Sequence, residues 1–113
     1  MVIHLAGAPI VARWSVQYKK EILSSRIDTT AALVKAILAA GVKPSMFIST
    51  SAVGIYPDGQ LFTEKDSRYD QGFLGKVCQA WEEEALKASA VTSVAVFRLG
   101  IVLSKDGGAL PRM

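Results

Sequence analysis

The chain has 113 residues, of which 50% are hydrophobic, and a net charge of +3. This length fits one domain, and a chain of this size buries about two-thirds of its unfolded surface, so its core needs no metal or disulfide. The single cysteine, Cys78, excludes an internal disulfide framework and therefore a small secreted scaffold.

Hydropathy and charge predict a soluble protein of the cytoplasm. The apolar runs end well before the roughly 18 residues that a membrane span requires, so we expect no membrane contact. The N-terminus lacks the basic start of a signal peptide. Acidic residues interleave with basic ones, which disfavours nucleic acid as a partner.

The first predicted elements are a short strand and a helical segment. Residues 2–6 form a β-prone run that ends at Gly7 and Pro9. Between Ser15 and Ala40 the apolar residues recur every three or four positions, which predicts helix. This stretch forms one helix or two, since the serines and threonines within it could restart a helix.

Three further elements follow. Residues 46–50 form the second strand, and a long loop over residues 52–71 precedes an amphipathic helix at about residues 73–88. Residues 94–98 form a third strand, which residues 101–103 continue. Long loops of this kind usually carry functional residues.

The alternation of strands and helices predicts an α/β fold with a parallel sheet and flanking helices, a partial Rossmann fold consisting of one βαβαβ half. The strands are apolar on both faces, which is typical of a sheet covered by helices on each side. Ligands of such sheets bind at the carboxyl ends of the strands. The segments to inspect are therefore residues 5–9, 49–56 and 98–103.

Three consecutive hydroxyl residues end the second strand: Ser49, Thr50 and Ser51. Hydroxyls at this edge can hold a substrate oxygen while a hydride moves. They can equally cap the strand end through hydrogen bonds to backbone groups. The spacing leaves both interpretations open.

Other candidate side chains have simpler structural interpretations. His4 is expected to be half-buried in its strand, and Cys78 lies on the apolar stripe of its helix, as a small core residue would. The glutamates at 82–84 are expected to form a solvated helix face. The loop carboxylates lack His or Cys at ligand spacing, so we predict no metal site at Asp58, Glu64 or Asp66.

Six separated blocks of sequence resemble an atypical epimerase branch of the extended short-chain dehydrogenase/reductases, the NAD-dependent epimerase/dehydratase-like proteins. The blocks arrive in family order, and the resemblance covers essentially the whole chain. They lie at residues 2–9, 13–14, 25–30, 47–56, 81–82 and 98–110.

The resemblance implies an NAD(P)-binding Rossmann fold that works on an unknown small molecule. It places Ser51 at the position of the catalytic serine. It implies cofactor contacts along the adenosine and ribose side from Leu5, Ala6 and Gly7, and elsewhere from Ser49, Thr50, Arg98, Gly100 and Ile101. A plain salt-bridge role for Arg98 remains an open alternative.

One departure from the family concerns catalysis. Typical members carry a Tyr-x-x-x-Lys pair, in which the lysine charge lowers the pKa of the tyrosine so that it exchanges protons at neutral pH. This chain has no such pair. Tyr56 or Tyr69 could substitute from the loop, and we predict Tyr56 as the second catalytic residue.

A second departure is the lack of a glycine-rich phosphate loop, since Gly7 stands alone. Residues 1–113 are therefore predicted to form a partial domain, without the N-terminal glycine-rich unit and the C-terminal substrate lobe, and with an incomplete NAD(P) site. Exposed apolar surface would then favour homo-oligomers.

Two functions remain open from the sequence. One is a Rossmann-type segment of an NAD(P)-dependent epimerase or reductase. The other is a non-catalytic cofactor-binding or interaction protein, or an inactive truncated chain, which the missing Tyr and Lys would favour.

Overall fold

A computed structural model describes residues 1–10, 13–101 and 103–108. The regular elements are β1 (Val2–His4), α1 (Val16–Ala39), β2 (Met46–Ala52), α2 (Phe73–Leu86), β3 (Ser93–Leu99), β4 (Leu103–Ser104) and β5 (Gly107–Gly108). Short 3-10 helices follow β2 at Val53–Ile55 and α2 at Lys87–Ala90. Among the described residues, no helix combines the length and the apolar character needed to cross a membrane.

The central sheet has the strand order β1-β2-β3, with both pairs parallel. Each connection carries one long helix, so the predicted α/β fold, a partial Rossmann fold of βαβαβ type, is confirmed. Residues that are partners in a parallel ladder share a face of the sheet. His4 is therefore aligned with Ser49 and Val96, and Ser51 with Arg98.

The segment between the first two strands forms one continuous helix. The Ser15 side chain caps it by accepting a hydrogen bond from the Tyr18 backbone N–H at 3.1 Å. Ser25, which could have restarted a helix, donates its hydroxyl to the Ile22 carbonyl at 3.2 Å. Because this bond satisfies the hydroxyl within the preceding turn, the helix passes through the serine without interruption.

The core lies between the sheet and the two helices. Phe47 of β2 packs with Val34 and Ile37 of α1 and with Ala85 of α2 in one buried cluster. Both helices therefore cover the face of the sheet that carries Phe47, and burial of this cluster is the main stabilising contribution.

The opposite face of the sheet is exposed. Ile3 on β1 is 56% exposed and Phe97 on β3 is 52% exposed, while Met46 and Leu99 are also open to solvent. We expected helices on both faces, but no described element covers this one. The continuous hydrophobicity of the strands thus reflects an apolar surface that the described residues leave uncovered.

Ile101 and Leu103 do not continue the third strand, contrary to the prediction. The β2–β3 ladder ends where Ala52 pairs with Leu99, because β2 itself ends there. Leu103 and Ser104 instead pair with Gly107 and Gly108 in a separate antiparallel hairpin. Val102, the remaining residue of that prediction, lies outside the described residues.

Candidate functional site

The carboxyl ends of the three parallel strands lie along one rim of the sheet. Leu5, Ala6 and Gly7 follow β1 on exposed backbone, while Gly100 and Ile101 follow β3. A cavity of about 470 Å³ opens at this rim. It is lined by residues that follow β2 and β3, including Val53, Gly54, Gly100 and Ile101, and by side chains from both helices.

The three hydroxyls that end β2 occupy two faces of the sheet. Thr50 donates to the His4 carbonyl at 3.1 Å and ties β2 to β1, so for this residue the structure supports the backbone-bonding interpretation. Ser49 and Ser51 face the helices and are 1% and 3% exposed. Neither hydroxyl oxygen has a hydrogen-bond partner in the part of the chain that the structure describes.

Ser51 is the hydroxyl nearer the cavity, because Cys78 lies beside it and lines the cavity wall. Burial raises the pKa of the Cys78 thiol, and the nearby Ser51 hydroxyl has a smaller, opposite effect. The contact does not reach hydrogen-bond geometry, so the Ser51 oxygen remains unpartnered there. Buried polar groups without partners are uncommon, and this one lies next to a ligand-sized space.

Arg98, near the end of β3, is the centre of a polar cluster. Its Nε and Nη2 atoms donate to the two carboxylate oxygens of Glu82 at 2.7 and 2.8 Å. Nη2 also donates to the Tyr69 hydroxyl at 3.0 Å, and Nη1 donates to the Tyr56 hydroxyl. The hydrogen bonds to Glu82 are the largest of several effects that raise the pKa of Arg98. The guanidinium therefore remains charged and held in place.

Tyr56 is fixed by this cluster. Its hydroxyl accepts from Arg98 and donates to the Thr63 carbonyl at 3.0 Å. Its ring stacks on Phe62 with centroids 5.1 Å apart. A separate space of about 400 Å³ adjoins the ring, lined in part by Tyr56, Phe62 and Arg98. Arg98 thus contacts the Tyr56 hydroxyl and is the ladder partner of Ser51.

Sequence reasoning missed the role of Glu82. We expected residues 82–84 to form a solvated face, but Glu82 is 9% exposed and pairs with Arg98. Only Glu83 and Glu84 follow the expectation in part, since Glu83 is exposed and Glu84 pairs with Lys87 near the surface. The spacing along the helix could have shown this, because Glu82 follows Cys78 by four residues and therefore shares its buried helical face.

Arg26 was also missed. It follows Ile22 by four residues and precedes Thr30 by four, and both neighbours are fully buried. Its Nη2 donates to the Ala8 carbonyl at 3.1 Å, and its guanidinium lies over the Trp81 ring at 5.2 Å. A charged residue on the buried stripe of a helix could have revealed it from the sequence.

Gly7 has a close-packing role against this arginine. A Cβ atom at this position would lie 2.9 Å from the Arg26 guanidinium carbon. The absence of a side chain lets the turn after β1 approach α1 closely. A larger residue would push the arginine away from its contacts.

His4 and Trp14 have structural partners. His4 is 4% exposed, and its Nε2 lies 2.8 Å from the Thr30 hydroxyl. Thr30 donates its one proton to the Arg26 carbonyl at 2.6 Å, so His4 Nε2 carries the hydrogen of that pair. Burial lowers the pKa of His4, which favours the neutral ring. The Trp14 indole donates to the Ile10 carbonyl.

Metal binding finds no support in the geometry. Nowhere in residues 1–10, 13–101 and 103–108 do three or more His, Cys, Asp or Glu side chains gather as a metal centre would require.

The fold defines a Rossmann-like α/β protein, and proteins of this kind bind their ligands at the strand ends. The family model described as the NAD dependent epimerase/dehydratase family matches residues 1–111. The chain therefore belongs to this family, and the resemblance seen in the sequence is confirmed.

Two relatives illustrate the similarity. An epimerase family protein of Arabidopsis thaliana, described as an SDR39U1 homolog and chloroplastic, is 43% identical over 115 residues, which cover 99% of this chain and 33% of the relative. An epimerase family protein of Staphylococcus saprophyticus is 41% identical over 116 residues, with 100% of this chain and 39% of the relative covered. The chain thus spans between a third and two-fifths of the length of these relatives.

Solved structures of epimerases resemble this chain in fold as well as in sequence. The human epimerase family protein SDR39U1, crystallised with NADPH, superposes with a TM-score of 0.86 at 31% identity over 97% of this chain and 39% of that one. A nucleoside-diphosphate sugar epimerase of Corynebacterium glutamicum superposes with a TM-score of 0.80 at 34% identity, over 97% of this chain and 24% of that one.

Proposed function

We propose that this chain is the central part of an NAD(P)-dependent epimerase or reductase and binds part of a nicotinamide dinucleotide along the strand-end rim. Leu5, Ala6 and Gly7 would follow the adenosine and ribose side. Ser49, Thr50, Arg98, Gly100 and Ile101 are proposed to complete the cofactor contacts. The observation that carries this proposal is the unpartnered, buried Ser51 hydroxyl beside a cavity at the carboxyl ends of parallel strands.

The residues present fit a dinucleotide. The cavity at the strand ends has the size and the mostly apolar lining that accept a flat ring. When bound, the nicotinamide would supply the hydride donor or acceptor. Ser51 is proposed to orient the oxygen of the reacting substrate, and Tyr56 to exchange its proton beside the fixed charge of Arg98.

The experiment is a titration with NADPH and with NADH that follows tryptophan fluorescence. Trp81 lines the cavity, whereas Trp14 bonds to the Ile10 carbonyl, so the Trp14→Phe variant reports on the cavity alone. We expect saturable quenching in the micromolar range. Absence of quenching at millimolar cofactor would contradict cofactor binding by this chain.

Catalysis is tested separately by substitution in a preparation with measured turnover. Ser51→Ala and Tyr56→Phe are expected to lower turnover at least a hundredfold, by loss of positioning and proton transfer. Ser93→Ala is the control, because Ser93 begins β3 and pairs with Met46 at the end of the sheet opposite the rim. Equal rates in all three variants would contradict the assigned roles.

The exposed sheet face favours a second candidate function, that of a binding or interaction protein without catalysis. Its apolar residues, among them Ile3 and Phe97, lack a cover among the described elements. Self-association through this face is the simplest way for the isolated chain to cover it. Failure of cofactor binding together with stable dimers would favour this alternative.

A further inference from the structure

The cavity at the strand-end rim has a mostly apolar wall. Ile10, Leu74, Trp81 and Ile101 line it, and it measures about 470 Å³. A space of this size and character accepts a ligand with a flat or compact apolar body. The polar groups on its wall then decide which ligands it prefers.

Arg26 is the charged residue on this wall, and its electrostatic environment differs from that of Arg98. Arg98 has a carboxylate partner in Glu82, whereas no Asp or Glu within the described ranges lies within ion-pair distance of Arg26. Among the described residues, Arg26 donates hydrogen bonds to the carbonyls of Ile22 and Ala8 and lies over the face of Trp81. Burial lowers the pKa of Arg26, as expected for a cation that has lost water without gaining a counter-ion.

Trp81 adds a second donor. It is 7% exposed, and its indole N–H is buried without a hydrogen-bond partner in the described structure. A guanidinium and an indole N–H donate and do not accept. The polar groups that these two cavity residues offer are therefore donors, which an oxyanion would satisfy.

We propose that this cavity is built for a ligand that joins an apolar body to an oxyanion, with Arg26 holding the oxyanion. The inference deepens the proposed function, since the same cavity adjoins Ser51. A carboxylate or phosphate of the substrate and a phosphate of the dinucleotide share the required chemistry. The choice between them is left to the experiment.

The test compares two probes with the same body, 2-naphthoate and its uncharged analogue 2-naphthamide. Calorimetric titration of the unmodified chain should give at least tenfold tighter binding of the carboxylate, because a charge-assisted hydrogen bond adds about this factor. In Arg26→Gln the ratio of the two affinities should fall to about one. Arg26→Lys keeps the positive charge but loses the planar guanidinium that donates two parallel hydrogen bonds. This variant should retain part of the preference for the carboxylate.

Lys35→Gln is the matched control, since it removes one positive charge from the exposed side of the same helix. It should leave the preference unchanged. Circular dichroism of each variant shows whether it folds, and Arg26→Lys keeps the test valid if Arg26→Gln unfolds. Equal affinity of the two probes in the unmodified chain, or a preference that survives in folded Arg26→Gln, would overturn the proposal.

A second titration in saturating NADPH identifies the source of the oxyanion. If NADPH and 2-naphthoate compete, the position at Arg26 belongs to a cofactor phosphate. If both bind at once, it belongs to an oxyanion of the substrate. If NADPH does not bind while naphthoate binds through Arg26, the proposed cofactor function fails and the oxyanion site stands.

Discussion

Glu82 and Arg98 form a two-point ion pair that joins α2 to β3, with donor–acceptor distances of 2.7 and 2.8 Å. The same guanidinium donates to the hydroxyls of Tyr56 and Tyr69. One carboxylate on a helix thus fixes the position of the arginine, and through it of two loop tyrosines. The rim of the candidate site depends on this pair.

Removal of the carboxylate should destabilise the protein. Glu82→Gln leaves the Arg98 charge largely buried without its counter-ion, and we expect a loss of about 2 to 3 kcal/mol in the free energy of unfolding. Glu83→Gln, at the exposed neighbouring position, should change it by less than about 0.5 kcal/mol. Urea denaturation measures both, and equal midpoints would contradict a stabilising role for the pair.

Gly75 should not tolerate a side chain. A Cβ atom there would lie 2.1 Å from the Asp70 carbonyl oxygen, and backbone cannot move aside cheaply. Gly75→Ala is therefore expected to cost about 1 to 3 kcal/mol despite the higher helix propensity of alanine. Gly41→Ala meets no atom within 4 Å and serves as the control. Thermal unfolding should show a lower midpoint for the first variant only.

Stability should fall as the pH drops below about 6.5, the ordinary pKa of histidine. Burial lowers the pKa of His4 in the folded chain, so the unfolded chain binds more protons between the two values. The contribution of His4 to the free energy of unfolding is then fully present above the pKa of the unfolded chain. It is lost as the pH falls toward the pKa of the folded chain, by at most about 1.4 kcal/mol per pH unit.

His4 is the only histidine in the chain, which makes its contribution separable. His4→Gln retains an N–H donor for Thr30 but does not titrate. Urea denaturation at pH 5 and pH 7 should show a smaller difference in this variant than in the unmodified chain. The same pH dependence in both would assign the effect to other groups.

Self-association should depend on the exposed face of the sheet. Phe97→Lys places a charge on that face, on the edge strand β3, and is expected to shift the chain from dimers or larger species to monomers. Leu61→Lys is the control, since Leu61 is fully exposed but lies on the loop before α2. Sedimentation velocity at several concentrations measures the outcome. A clean monomer of the unmodified chain at high concentration would contradict the proposal.

The sequence by itself determined the order of strands and helices and the parallel sheet, because periodicity and turn residues are local signals. It also placed Ser51 and Arg98 at the strand ends, since neighbouring parallel strands end on the same side. The family resemblance in its ordered blocks required no coordinates.

Only the tertiary structure decided which side chains meet. Arg26 and Trp81 lie 55 positions apart in the sequence and come together because α1 and α2 pack side by side on one face of the sheet. Glu82 was misassigned because a run of three glutamates does not show which member lies on the buried face. The hairpin at Leu103 escaped prediction because a short apolar run pairs with whichever strand is available, and β2 had already ended.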